Sequence, residues 1–199
     1  MTLVLATRNA GKLAELQALL ADLPVTLRAA TDFPDAPEVV EDAETLEGNA
    51  VRKARALQAF TGLPALADDT GLEVEALEGA PGVHSARFAG PNATDAENRA
   101  LLLERLQGVT NRRARFRTVL AFAPDARTIH LFEGVCPGWI LEEERGSGGF
   151  GYDPLFVPEG HVQTFAEMPL EAKNRISHRG KALRAFVAFL KNWLQEQNR

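Results

Sequence analysis

The strongest constraint on the fold is a sharp change of pattern near the start of the chain. An apolar run at residues 3–6 ends at a polar segment, residues 7–12, and a helical pattern with leucines on one face follows at once. A buried strand that leads directly into an amphipathic helix is typical of a βα unit. The chain is therefore expected to adopt an α/β fold with a polar turn after its first strand.

This polar turn has the composition of a phosphate-binding loop. Backbone N–H groups at a helix N-terminus, together with nearby cations, suit phosphate oxygens. The spacing is not that of a Walker A loop, and an ordinary exposed βα turn explains these residues equally well. The candidate phosphate contacts are Thr7, Arg8, Asn9, Ala10, Gly11 and Lys12.

The rest of the chain alternates strand-like and helix-like patterns without a linker or an internal repeat. We therefore expect a single domain over residues 1–199, of class α/β with mixed strand directions. A glycine-rich loop is expected at residues 146–153. Strands are predicted at residues 2–6, 25–29, 63–67, 72–76, 116–123 and 128–136, and helices at residues 12–21, 45–60, 94–107 and 177–195.

Composition excludes several classes of protein. No run of about 18 apolar residues is present, so no membrane span is expected. No signal-peptide pattern is found either, which favours a cytoplasmic location. The net charge of −5 argues against broad nucleic-acid binding, and a single cysteine, Cys136, excludes an internal disulfide and a cysteine-based zinc cluster. A polyanionic ligand would need cations gathered locally, together with a metal ion.

Two adjacent carboxylates follow the strand predicted at residues 63–67. Side chains of neighbouring residues in an extended segment point in opposite directions, so we expect only one of Asp68 and Asp69 to face a ligand. The other is expected to cap a turn. A carboxylate at the end of a strand could bind Mg²⁺ or accept a proton from water, although such a pair is also typical of a solvated turn.

Lys53 lies in an unusual position on the second predicted helix. At about 100° per residue, Lys53 falls in the same arc as the apolar residues Leu46, Leu57 and Phe60, whereas Arg52 points away. A lysine on a core-facing stripe needs an anionic partner, or its ammonium must extend along the surface to water. Both interpretations stay open at this point.

The start of the last helix combines a predicted N-cap, Ser177, with His178, Arg179 and Lys181. Cations in a first turn oppose the helix dipole, although the cost is small enough to be incidental. An electron-rich ligand at this end would explain them. Phe150, in the glycine-rich loop, is a candidate aromatic contact for such a ligand.

Five segments together resemble the inosine triphosphate pyrophosphatase family. The resemblance runs from residue 3 to about residue 184 and implies a long mixed central sheet flanked by helices, with two lobes and a substrate cleft between them, in a homodimer. It also implies Mg²⁺-dependent hydrolysis of ITP, dITP and XTP to the monophosphate and pyrophosphate, which cleanses the nucleotide pool. The segments are LATRNAGK, EGNAVRKA, LADDTGLEVEALEGAPGVHSARFAG, GGFGYDPLF and AEMPLEAKNRISHRGKAL.

The resemblance also implies a role for individual residues. Asp69 would be the general base and a metal ligand, and Glu41 a second metal ligand, although a shift of one residue in the alignment would substitute Asp42. Residues 7–12 would bind the triphosphate, and Phe150 would stack on the purine. The remaining substrate contacts implied are Lys53, Thr70, Gly151, Tyr152, Asp153, Lys173, His178 and Arg179.

Two other functions remain compatible with the sequence. One is a Maf-like pyrophosphatase that acts on modified pyrimidine or methylated nucleotides. The other is a nucleotide-binding sensor without turnover, against which the retained Lys12, Lys53 and paired aspartates argue. Product analysis with several triphosphates separates the three.

Overall fold

The structure is a computed structural model that describes residues 1–8 and 10–197. Asn9, one of the predicted phosphate contacts, lies outside the described residues. The strands are β1 (Thr2–Leu5), β2 (Thr26–Ala29), β3 (Ala65–Val74), β4 (Pro81–Gly82), β5 (Arg113–Ala123), β6 (His130–Ile140) and β7 (Phe156–Pro158). The helices are α1 (Ala10–Leu19), α2 (Leu46–Thr61), α3 (Asp95–Arg105), α4 (Leu170–Ile176) and α5 (His178–Gln197).

The strands form one mixed sheet in the order β2-β1-β3-β5-β6-β7, with β4 paired to β3. β1 runs parallel to both β2 and β3, whereas β3 is antiparallel to β4 and β6 is antiparallel to β7. This confirms the predicted α/β class with a long mixed sheet. Of the helices in the described residues, none is both long and apolar enough to span a bilayer.

The chain divides into two compact units, in agreement with the two lobes that the resemblance implies. The first unit comprises Met1–Asp69, Val119–Glu133 and α5 from Ala182, and the second comprises Thr70–Thr118 and Gly134–Lys181. Each has its own apolar core. The first core includes Leu3, Leu16, Leu66, Phe122 and Phe186, and the second includes Leu72, Leu102, Phe116, Phe156 and Phe165. The single-domain assignment and the substrate cleft stay predictions.

Several element boundaries differ from the prediction. β3 is one continuous strand, whereas the sequence predicts two strands separated by a turn at residues 68–71. α4, β4 and β7 were not predicted, and Phe60, expected on the core side of α2, is 45% exposed in the last turn of that helix. The predicted caps are confirmed, because Thr94 and Glu97 form a capping box on α3 and the Ser177 hydroxyl accepts the Gly180 N–H.

Candidate functional site

The polar turn after β1 lies beside the carboxylates of β3. β1 and β3 are parallel neighbours with Leu5 opposite Leu66, so the residues that follow these two positions lie at the same end of the strands. Lys12, in the first turn of α1, is consequently 2.7 Å from the Asp68 carboxylate. This ion pair offsets the unfavourable interaction between a cation and the start of a helix.

The two aspartates of β3 contact different helices. The Asp68 side chain is nearly buried and pairs with Lys12 of α1. Asp69 faces α2, where it accepts a hydrogen bond from the Asn49 amide at 3.1 Å and lies 3.5 Å from the Lys53 ammonium. The predicted alternation is confirmed, but the predicted turn-capping role is wrong, because the strand continues and the second carboxylate is held by an ion pair.

Lys53 lies between two carboxylates. Its Nζ is 3.2 Å from Glu41 and 3.5 Å from Asp69, and the side chain is only 16% exposed. Arg52, the preceding residue, points elsewhere and pairs with the exposed Asp42. The predicted direction of the Lys53 side chain is thus confirmed. Glu41 rather than Asp42 joins the group around Asp69, which agrees with the metal-ligand role predicted for Glu41 without testing it.

Asn49 is a member of this group that sequence reasoning missed. It is buried one helical turn before Lys53, and its side-chain oxygen accepts the backbone N–H of Ala43 at 3.0 Å. Its amide group donates to Asp69. The residue therefore connects the segment before α2 to the carboxylate of β3. The available signal was a polar residue four positions before Lys53, on the same side of the helix.

A cavity of about 230 Å³ in the first unit brings four of the predicted ligand contacts together. Thr7 and Arg8 of the polar turn, Glu41 and Lys53 all line it. The other lining residues are mostly apolar, namely Ala6, Ala30, Phe33, Ala36, Pro37, Glu38, Val39 and Leu57. A largely apolar wall beside a few charged groups strengthens the electrostatic interactions of a bound anion relative to those in water.

The environment of Asp69 favours its neutral form. Burial raises the pKa of the Asp69 carboxyl to about 6, although the Lys53 ammonium and the Asn49 hydrogen bond lower it. The nearby Glu41 and Asp68 carboxylates act in the same direction as burial, and a pKa of about 6 is the net result of all these effects. A carboxyl that exchanges its proton this close to neutral pH suits a general base.

The carboxylates also fit a magnesium ion that is held jointly with a substrate. Mg²⁺ in phosphate-binding sites takes one or two protein carboxylates and completes its coordination with phosphate oxygens and water. Glu41 and Asp69 supply two, both within reach of the same ammonium. Within the described part of the chain, no group of three or more His, Cys, Asp or Glu side chains is placed to hold a metal ion.

The raised pKa of Asp69 predicts how the stability of the protein depends on pH. Because the Asp69 pKa is higher in the folded chain, the folded state binds this proton more tightly, and stability is lost as pH rises from about 4 through about 6. Asp69→Asn mimics the neutral form. We compare the free energy of unfolding of this variant with that of wild type in EDTA. The variant minus wild-type difference is expected to be about 1–2 kcal/mol more favourable to the variant at about pH 8 than at about pH 5. Urea unfolding at both pH values measures this.

The control for this prediction is Asp35→Asn, which removes an exposed carboxylate from a turn of the same unit. Its difference from wild type is expected to stay the same at both pH values. If the difference between Asp69→Asn and wild type is also independent of pH, the Asp69 carboxyl is not destabilised by its surroundings.

A second group of predicted residues lies in the second unit. The Phe150 ring is 61% exposed, and the Lys173 ammonium lies 4.9 Å from its centre. Lys173 is buried and pairs with Asp153 at 2.5 Å, and the same Asp153 oxygen accepts the Phe150 N–H. Gly149 has a φ of +70° and packs so closely on Asp153 that no side chain would fit there. The turn thus holds an exposed aromatic ring beside a cation.

The remaining predicted contacts are held by neighbours within the second unit. The Tyr152 hydroxyl donates to the Ser85 carbonyl in the core, so only its backbone is available to a ligand. His178, at the start of α5, stacks on Phe116 with ring centres 4.7 Å apart, and Arg179 follows it half-buried. Thr70 shares a 2.7 Å hydrogen bond with the Thr118 hydroxyl.

Thr118 was also missed by sequence reasoning. It is fully buried, and on β5 it follows Ala114 and Phe116 at every second position, which places all three on the buried face. A threonine in such a series was the available signal. Its hydroxyl fixes the position of the Thr70 side chain, which immediately follows Asp69 in the chain.

The comparisons with known proteins agree with one another. Residues 3–189 match the sequence profile of the Ham1 family. A dITP/XTP pyrophosphatase from Geobacter sulfurreducens is 54% identical over 183 residues, covering 91% of this chain and 92% of that protein. One from Desulforamulus reducens is 53% identical over 192 residues, covering 96% of each. A solved HAM1 protein from Coxiella burnetii matches with a TM-score of 0.92 and 44% identity, over 96% of this chain and 99% of that one.

Proposed function

The chain belongs to the Ham1 family, and we propose that it hydrolyses purine nucleoside triphosphates carrying hypoxanthine or xanthine, namely ITP, dITP and XTP. The products are the monophosphate and pyrophosphate, and Mg²⁺ is the cofactor. Relatives named dITP/XTP pyrophosphatase, similar over nearly their whole length, support this substrate class. The observation that carries the chemistry is the placement of Lys53 between Glu41 and Asp69, beside the cavity that Thr7 and Arg8 also line.

Different residues of the first unit are assigned to phosphate binding, to proton transfer and to metal binding. The turn at residues 7–12 and Lys53 bind phosphate oxygens and stabilise the charge that develops on them. Asp69 accepts a proton from water as the water oxygen bonds to the α-phosphorus. The bond between the α-phosphorus and the oxygen that bridges it to the β-phosphorus breaks at the same time, and pyrophosphate leaves. Glu41 and Asp69 would hold Mg²⁺, which supplies further positive charge at the phosphates when it is bound. Lys12, paired with Asp68, becomes available to phosphate if that ion pair opens.

The residues of the second unit would recognise the base. Phe150 stacks on the purine, and Lys173 and the backbone of residues 151–153 complete the contact. His178 and Arg179 donate hydrogen bonds to the 6-keto oxygen of hypoxanthine or xanthine. The 6-amino group of adenine cannot accept these bonds, so binding ATP would leave buried donors unpaired.

Arg179→Ala tests this account of base recognition. We expect the variant to lose about 1.5–3 kcal/mol of transition-state stabilisation for ITP, the value of one hydrogen bond to a charged group. The loss for ATP should be much smaller, so the ratio of kcat/KM for ITP to that for ATP narrows. Lys191→Ala, an exposed cation on the same helix, is the control and should retain the wild-type ratio. Equal fractional losses for ITP and ATP would assign Arg179 to the phosphates or to the scaffold.

A panel of triphosphates tests the proposed activity. The protein is incubated with ITP, dITP, XTP, ATP and the pyrimidine triphosphates, with Mg²⁺ or with EDTA, and pyrophosphate and phosphate are measured separately. We expect pyrophosphate from ITP, dITP and XTP with Mg²⁺ only, and far less from ATP. Fastest turnover of a pyrimidine nucleotide would support the Maf-like alternative, and binding without turnover would support a sensor.

Three further parts of the proposal rest on the resemblance and on composition. The protein is proposed to act as a homodimer, to work in the cytoplasm on the free nucleotide pool, and not to bind nucleic acid. Sedimentation of the purified chain would test the first, since a dimer has twice the 21.7 kDa mass of the chain.

A further inference from the structure

Helix α3 holds the turn that carries Phe150. The carboxylate of Asp95 accepts the Gly151 N–H at 2.8 Å, and the guanidinium of Arg99 donates to the Gly151 carbonyl, also at 2.8 Å. Asp95 and Arg99 are four residues apart, so they project from the same face of the helix. Two side chains from one helical turn thus bind both backbone groups of one glycine.

The guanidinium itself is fixed. Its Nε donates to the Glu144 carboxylate at 2.8 Å, and the Arg99 side chain is only 15% exposed. A planar guanidinium held at two points has little freedom to rotate, so the direction of its bond to Gly151 is set.

The turn needs such contacts because its glycines allow the backbone to adopt many conformations. Gly149 and Gly151 flank Phe150 and both have positive φ, in a region that glycine enters without steric cost. On one side the Phe150 N–H is bound by Asp153, and on the other α3 binds Gly151. The ring between these two contacts remains 61% exposed. The hydrogen bonds therefore fix the backbone of the turn, and with it the direction of the Cα–Cβ bond from which the exposed ring projects.

These contacts are separate from those that hold α3 in the fold. The buried residues Leu102 and Leu106 anchor the helix in the core of the second unit, and buried Asn98 bonds to the backbone of Ala86 and Ala89. Asp95 is exposed at the first turn. Substitution of Asp95 or Arg99 is consequently expected to leave the helix in place.

We propose that Asp95 and Arg99 are positioning residues that pre-order the Phe150 ring for stacking on the purine base. The inference rests on the proposed function, which assigns Phe150 to the base. A ring already held in its bound orientation loses less conformational freedom when a nucleotide binds, so the pair raises affinity without touching the ligand. Because neither residue takes part in the reaction at the phosphates, substituting either one is expected to change KM rather than kcat.

A double-mutant cycle with Phe150→Ala tests the proposal. Arg99→Ala and Asp95→Ala are each expected to raise the KM for ITP roughly fivefold to tenfold, with kcat changed less than about twofold. Asp95→Asn keeps an oxygen that can accept the Gly151 N–H and should retain the wild-type KM. Arg105→Ala, an exposed arginine of the same helix, is the matched control. In the Phe150→Ala background, Arg99→Ala should add no further rise in KM.

The same cycle is repeated on the dissociation constant for ITP, measured by calorimetry in EDTA, where no turnover is expected. Non-additive effects on this constant support the positioning role even if wild type releases no pyrophosphate, an outcome that would reject only the proposed activity. Additive effects, or unchanged KM and dissociation constant in both single variants, overturn the positioning role while wild-type turnover stands. If wild type neither hydrolyses ITP with Mg²⁺ nor binds it with or without the metal, both proposals fail.

Discussion

Asp69→Asn is expected to lower the turnover of ITP at least about 10²-fold, in line with the usual contribution of a general base. The substitution preserves the shape of the side chain but removes the negative charge and the ability to accept a proton. The amide can still contact Asn49 and Lys53, so the local fold should persist. The measurement is pyrophosphate release at saturating ITP and Mg²⁺.

Two comparisons make this result specific to Asp69. Asp42→Asn removes an exposed carboxylate that pairs with Arg52 rather than with Lys53, and should leave turnover close to wild type. Affinity for ITP in the absence of metal should change much less than turnover in Asp69→Asn. Near-normal turnover in Asp69→Asn together with an inactive Asp68→Asn would mean that Asp68, not Asp69, is the reacting carboxylate.

Lys53→Met is expected to reduce turnover about 10²- to 10³-fold, the usual cost of removing one fixed group that stabilises developing charge. Methionine keeps most of the apolar stem that packs along α2 and removes only the cation. Arg52→Met is the matched control, because it removes the neighbouring, exposed cation of the same helix. If Lys53→Met retains catalysis, the ammonium has no catalytic role, and it is only hydrated at the surface or paired with carboxylates.

The sequence and the structure predict different effects of Lys53→Met on stability. The helical pattern alone predicts unchanged or higher stability, because an ammonium no longer has to leave water. The structure reverses this prediction, since Glu41 and Asp69 lie within 3.5 Å of Nζ and would lose that cation. We therefore expect a lower Tm for Lys53→Met at pH 8 than for wild type, measured on the preparation used for turnover.

Helical periodicity was sufficient to find Lys53, because an α-helix sets side-chain directions from local geometry alone. The caps of α3 and α5 were predictable for the same reason, since a capping residue and its N–H partner are close in sequence. The interruption predicted in β3 was wrong. Asp68, Asp69 and Gly71 are turn-forming residues by propensity, but the pairing of β3 with its neighbours and the partners of both carboxylates keep the strand extended.

The contacts that were missed join residues that lie far apart in sequence. Lys12 meets Asp68 only because β1 and β3 pair in a particular register. Asp95 and Arg99 contact Gly151, more than fifty positions later in the chain. No local pattern contains such information, so these pairs required the folded chain.

The most direct test of the account is hydrolysis of ITP in water enriched in oxygen-18, with Mg²⁺ present. Attack of water on the α-phosphorus predicts one labelled oxygen in the phosphate of inosine monophosphate and none in the pyrophosphate, with the two products formed in equal amounts. Mass spectrometry of both products gives the answer. Label in the pyrophosphate, or release of inosine diphosphate with labelled phosphate, would contradict the proposed reaction.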